Sequence, residues 1–372
     1  MKDEIILCIV GWYGTETLGD RAILDGIIYI YKQLYEKVVI KLGSLYPFYS
    51  QRTLYEDQNT FNTIIEVFDE KDIVELRENV KQSDCVIMGG GPIMDNIKEL
   101  YIVYRAFKYG KHYKKRNILF GCGLGPLSTE KYINIAHDII QISDLIIYRD
   151  SISLKYSDVL FGKLNNASVC ADPAIISICR YKEAMSCSLT NSVSLNLRRY
   201  PKNHGNKEWL NQETLSKLVD SLSLVYETVY LVPMHSFFIG GDDREYLYEI
   251  SSNGKNHKNV VLFDHGMNLN TLYGLYANSS ACIGMRYHSV VMQTLLNGNN
   301  YILNYTDNRN GKIEGFLDGL ENREFYNNRI FNGDAGEKIN IDSLIDCLKH
   351  MKKYEYMVSC EKLIGEYRNI LL

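Results

Sequence analysis

A chain of 372 residues, 46% hydrophobic and 23% charged, is long enough for two hydrophobic cores and excludes a disordered or fibrous protein. Its net charge of −4 supplies no global attraction to nucleic acid or an acidic membrane, so no nucleic-acid partner is expected and any anionic ligand must be held by local positive groups. The nine scattered cysteines show no C-x-x-C and no metal-ligand spacing, and flanks such as Ile-Leu-Cys8-Ile-Val read as reduced core thiols of a cytoplasmic protein.

The start, MKDEIILCIVG, is acidic and its apolar run is too short for a signal peptide; no run of roughly 18 apolar residues exists to span a membrane. Glu4–Val10 reads as a buried strand, followed by the loop GWYGTETLGD and the helical run AILDGIIYIYKQL. Strand, glycine turn and helix open a phosphate- or nucleotide-binding α/β domain. The known fingerprints fail, however. G-x-G-x-x-G is absent, and the second strand, Lys37–Leu42, does not end on an acidic residue. Gly14-x4-Gly19 imitates a Walker A loop, but Asp20-Arg21 stand where Lys-Ser/Thr is needed, so an NTPase is not expected.

The alternation continues with strand Ile64–Phe68, helix Lys71–Gln82 and strand Cys85–Met88, which opens into Gly89-Gly90-Gly91-Pro92. Such a glycine run serves either a tight turn or close approach of the backbone to a ligand. Helix Ile97–Lys111 leads into the basic run KHYKKR, read as a solvated face, with an anionic lipid head group as the alternative contact. Strand Asn117–Phe120 runs into GCGLGPL; helix Glu130–Ile142 and strand Asp144–Tyr148 follow. Arg149 and Asp150 read as a structural pair, and Ser151 as the cap of helix Ile152–Phe161. These elements make residues 1–177 one domain, with a linker at about Ile178–Leu189.

The pattern restarts with strand Thr190–Leu197, ending in Arg198-Arg199. Helix Glu208–Tyr226, strand Thr228–Val232 and the segment PMHSFFIGGDDRE follow, then strand Val260–Phe263 and helix Asn268–Asn278, capped by Asn268. The stretch ACIGMRYHSVVMQTLLN is a strand, then Arg286-Tyr287-His288, then a helix; strand Tyr301–Asn304 and helix Lys312–Leu320 complete residues 190–335 as a second domain. Residues 336–372 read as terminal helices packing back on the first domain. The expected class is α/β, with two Rossmann-like domains facing across a cleft.

Cationic side chains recur at strand ends in the second half: Arg198 and Arg199, then His235, then Arg286 and His288. Ends of parallel strands share one edge, where ligands bind in open α/β sheets. Arginine forks, a histidine and a helix N-terminus there favour a phosphate or carboxylate. The neighbouring arginine and helix end are expected to disfavour the His288 imidazolium, and a bound multivalent anion to favour it, which would give a general acid only when substrate is present.

The chain resembles the polysaccharide pyruvyl transferase family. GWYGTETLGDRAIL is similar to that family's opening G-x-x-G-x-x-N-L-G-D-E-A-I-L. MGGGPIMD, GCGLGPL, RDSIS, ADPAI, IGMRYHSVVMQTLLNGNN (its Arg-Leu-His segment) and YTDNRNGKIEGF (its Tyr-x-x-Lys stretch) follow in family order, over residues 5 to 320. The resemblance implies a GT-B-like fold and transfer of the enolpyruvyl carbons of phosphoenolpyruvate to two hydroxyls of one sugar, forming a pyruvate ketal and releasing phosphate. It implies no cofactor beyond that donor. It places donor binding on the second domain, through Arg198 or Arg199, Arg286, the backbone around Tyr287, and His288 as general acid/base, with Lys312 from the Tyr-x-x-Lys stretch. Gly14, Asp20, Gly90 and Gly91 fall on the acceptor side, and His235, Asp242 and Asp243 are weaker acceptor candidates.

Several positions depart from the family pattern: Tyr287 replaces leucine, Arg21 a glutamate, Glu16-Thr17 the usual Gly-Asn region, and Asn299-Asn300 the usual Val-Pro. The acceptor is expected to be a sugar of a surface-polysaccharide precursor; a lipid-linked one would bring the protein to the inner face of the membrane, and a homo-oligomer is compatible with the sequence. The alternatives are a GT-B-type glycosyltransferase using a nucleotide sugar and a non-catalytic polysaccharide-assembly protein of the same fold.

Overall fold

The computed structural model describes residues 2–15, 17–89, 91–199, 210–254, 258–306, 311–333, 338–350 and 352–372. The chain divides into two compact units: Met1–Ser177 together with Val358–Leu372, and Ile178–Met357.

The first unit holds β1 (Lys2–Val10), β2 (Tyr35–Ser44), β3 (Ile64–Asp69), β4 (Cys85–Gly89), β5 (Pro92–Ile93), β6 (Arg116–Leu124), β7 (Leu145–Tyr148) and β8 (Ala167–Val169). They pair in parallel in the order β3-β2-β1-β4-β6-β7-β8, with β5 alongside β6. Helices on both faces explain why β4 is buried along its whole length, as a parallel strand covered twice must be. The second unit repeats the plan. Its strands are β9 (Thr190–Asn196), β10 (Thr228–Leu231), β11 (Val260–Leu262), β12 (Ser279–Gly284), β13 (Asn300–Asn304) and β14 (Ile330–Asn332), all parallel, in the order β11-β10-β9-β12-β13-β14. In both sheets the order reverses beside the first strand, between β1 and β4 and between β9 and β12. Such reversals open the crevice in which doubly wound sheets bind ligands.

The structure corrects several expectations. The residues expected to form a linker belong partly to helix Ala174–Ala184, and the division between the units falls inside that helix. Asp172 starts it, its Oδ1 accepting from the Ala174 N–H at 3.0 Å. Of residues 336–372, helix Ile341–His350 stays in the second unit, burying Leu344, Ile345 and Leu348. Only helix Cys360–Leu371 joins the first, where the Tyr367 ring stacks on Phe120 at 5.1 Å and its hydroxyl donates to the Ala171 carbonyl. Asp150 rather than Ser151 caps helix Ser151–Phe161, accepting from the Ser153 N–H at 2.7 Å. Asn268 caps helix Leu269–Asn278 as expected. None of the nine cysteines is in a disulfide, and seven are buried. Among the described residues no helix is long and apolar enough to cross a membrane.

Candidate functional site

The carboxyl edge of the second sheet gathers most of the cations singled out in the sequence. Gly284 of β12 pairs with Asn196 of β9, so Arg198 and Arg286, each two residues past that pair, leave adjacent strands at the reversal point. Asn196 ties the edge together: its Oδ1 accepts from the Arg286 N–H at 3.0 Å and its Nδ2 donates to the Val232 carbonyl at 2.9 Å. Arg286 is the extended N-cap residue of helix Tyr287–Leu296, which has no side-chain cap. His288 thus stands half-buried in the first turn, where backbone N–H groups and the dipole favour an anion. Tyr287, which stands where the family pattern has leucine, is a buried ring packed edge-on against His288 at 4.8 Å and Phe316 at 6.4 Å.

Arg286 does not stand alone. Its Nε and Nη2 donate to the Asp243 carboxylate at 2.7 and 2.6 Å, and Nη2 also reaches the Gly241 carbonyl at 3.2 Å. Burial by itself would lower the arginine's pKa; the Asp243 charge and its hydrogen bonds raise it instead. Asp243 further accepts from the Met234 and His235 N–H groups at 3.0 and 3.1 Å. It was a weak acceptor candidate in the sequence; the structure makes it the anchor of Arg286. Asp242 caps helix Asp243–Asn253 and is held by Arg244 at 2.6 Å.

His235 is buried, its Nε2 bonded to the Ile239 carbonyl at 2.6 Å, which requires the proton on Nε2. Burial first, and then the Arg286 charge, push it down to about 4, so it stays neutral and braces its own loop.

Tyr305, the first residue after β13, is the centre on which the remaining cations converge. Arg198 Nη1 donates to its hydroxyl at 3.2 Å, and the guanidinium lies 5.1 Å from the ring centre. Lys312 Nζ lies 5.6 Å from the same ring centre. Burial opposes ionisation of this phenol, yet the charges of Lys312, Arg198 and Arg286 bring it down to about 7. The neighbouring Arg199 has different surroundings: it is exposed, bonded to both carboxylate oxygens of Glu249 at 2.6 and 2.7 Å and stacked on Tyr246.

In the first unit, Gly14 has φ +79°, and a Cβ there would come within 2.8 Å of the Tyr46 backbone nitrogen, so both conformation and close packing require glycine. Gly91 also has a positive φ, +74°, with open space around it; Gly90 lies outside the described residues. Gly14 and Asp20 line a cavity of about 20 Å³ with Trp12, Thr17 and Arg21, roughly the room one water needs. Arg21 is neutralised by Glu56 and Asp57 at 2.8 and 3.2 Å. Glu99 is pushed up to about 8, by burial and then by the Asp20 charge.

Sequence reasoning passed over Asn196, and it quoted Tyr305 within the Tyr-x-x-Lys stretch without giving it a part in the site. The strand-end rule that selected Arg198 and Arg286 applies equally to both, since Asn196 ends β9 and Tyr305 follows β13.

The profile of the polysaccharide pyruvyl transferase family matches residues 18–308. Among curated proteins, none matches the chain in sequence. Among solved structures, the UDP-GlcNAc 2-epimerase from Methanocaldococcus jannaschii has a TM-score of 0.62 at 13% identity over 99% of each chain. Anabaena Alr3699/HepE in complex with UDP and glucose has 0.62 at 10% identity, again over 99% of each. S. aureus MnaA with UDP has 0.61 at 12%, over 100% of this chain and 96% of that one. At these identities the likeness shows the fold alone, a GT-B-like α/β fold of two Rossmann-like domains. The family match covers well over half the residues, and the chain belongs to the polysaccharide pyruvyl transferase family.

Proposed function

We propose that the protein transfers the enolpyruvyl carbons of phosphoenolpyruvate to two hydroxyls of a sugar in a surface-polysaccharide precursor, forming a pyruvate ketal in the cytoplasm. The observation that carries this reading is the convergence of Arg198, Arg286 and Lys312 at the reversal point of the second sheet, beside His288 in an uncapped helix turn. Phosphoenolpyruvate carries a phosphate and a carboxylate, and guanidinium forks suit both.

In the reaction, C3 of the donor gains a proton and C2 becomes electrophilic. One sugar hydroxyl adds to C2, phosphate leaves with the C2–O bond electrons, and the second hydroxyl closes the ketal. Of the two hydroxyl protons, one balances the proton gained at C3 and the other leaves on phosphate. His288 is the general acid/base in this reading, and the cations stabilise the charge on the departing phosphate.

Thermal denaturation with phosphoenolpyruvate, set against a panel of nucleotide sugars, tests the proposal. Only the donor should raise the Tm, by mass action on the folded state, and a sugar acceptor should then trigger phosphate release. A Tm raised by nucleotide sugars alone would support the rival glycosyltransferase reading. That reading draws its support from neighbours of the same fold whose structures hold UDP.

A further inference from the structure

Tyr305 has no role in the reaction as written, yet it sits where the donor's anionic groups would be held. Its oxygen accepts a hydrogen bond from Arg198, and the Lys312 ammonium lies 5.6 Å from its ring centre. Both cations favour the form of the phenol with most charge on oxygen. The ring is 97% buried by residues of the same edge, so little water screens that interaction (relative exposure 3%).

The surrounding charged groups come from each element packed there. Arg198 follows β9, Arg286 precedes helix Tyr287–Leu296, and Lys312 begins helix Lys312–Asp318. On the β10 side, Asp243 is engaged by Arg286, Asp242 by Arg244, and His235 is neutral. Glu314, two residues on from Lys312, is held by Arg323 at 2.8 Å.

We propose that Tyr305 is a phenolate counter-ion of the empty anion site and takes up one proton when a phosphate-bearing ligand settles among Arg198, Arg286 and Lys312. It rests on the donor-site reading for the identity of the natural ligand. The incoming phosphate brings negative charge against the phenolate, and like charges at such separation cannot both persist cheaply. A solvent proton therefore binds to the oxygen, converting phenolate to phenol with no other bond made or broken. The depressed phenol pKa, about 7, sets the range in which this exchange is visible.

The test follows the tyrosinate absorbance of the full-length protein at mildly alkaline pH, with inorganic phosphate and phosphoenolpyruvate as separate probes. The expected result is a tyrosinate band in the empty protein, missing from Tyr305→Phe, that disappears on saturation while one proton is taken up from a dilute indicator. Affinity for the probe should also fall about tenfold per pH unit above about 7 in the wild type and stay flat in Tyr305→Phe. No tyrosinate band in the empty protein, or a band that neither probe removes, would overturn the proposal. A band removed by inorganic phosphate but not by phosphoenolpyruvate would uphold Tyr305's role and remove the donor reading instead.

Discussion

Arg286 and Asp243 are joined at two points, Nε to Oδ2 at 2.7 Å and Nη2 to Oδ1 at 2.6 Å, with the carboxylate almost wholly shielded from water. The arginine that the sequence offers as a donor clamp is therefore also a structural cation. Arg286→Ala should cost roughly 3–5 kcal/mol, because it leaves a buried carboxylate unpaired. Replacing both residues with alanine should cost less than the sum of the single changes, which urea denaturation of the four proteins would measure. Additive losses would mean that the pair contributes no coupling.

Arg198 and Arg199 are neighbours with different surroundings. Arg198 faces Tyr305, whereas Arg199 is claimed by Glu249 on an exposed face. Arg198→Ala should weaken phosphoenolpyruvate binding at least about tenfold, the loss of one charge-assisted contact, and Arg199→Ala by less than about twofold. Calorimetric titration of both variants distinguishes them, and the reverse order would reassign the donor arginine.

His288 stands in the first turn of a helix whose N-cap offers no side-chain bond. His288→Ala should bind the donor but release phosphate about 10²–10⁴ times more slowly. A coupled phosphate assay in single-turnover mode reads this directly; near-normal release would take the histidine out of the chemistry.

Glu99 is a buried acid, raised from 4.5 to about 8 by burial and then by Asp20. Folding thus favours its protonated form: the stability it contributes is complete below 4.5 and is lost as pH rises through about 8. Glu99→Gln removes the titration, so its Tm should exceed the wild type's by roughly a few degrees at alkaline pH and match it in acid. Melting curves across pH check the sign.

The doubly wound plan was legible because apolar strands alternate with amphipathic helices, and Arg198 and Arg286 stand two residues past the ends of two such strands. Helix Pro47–Glu56 was not, because it buries only Ser50 and shows no apolar stripe. Short strands such as β8, with no fully buried residue, give an equally faint pattern. The Arg286–Asp243 pair joins residues 43 positions apart, and no local periodicity encodes such a partner. Likewise, the ionisation of Tyr305 depends on cations from three separate elements, a property of the assembled edge.

Helix Cys360–Leu371 places the Tyr367 ring, fully out of water, against Phe120 of β6. A segment more than two hundred positions further along the chain than Phe120 thus completes a core whose other members are translated first. A gene fragment stopped at Ser177 would encode an amino-terminal half with an unfilled slot beneath Phe120. Supplying the missing stretch as a separate peptide, or moving it to the front of the chain by a short linker, is the rational way to prepare that half in isolation.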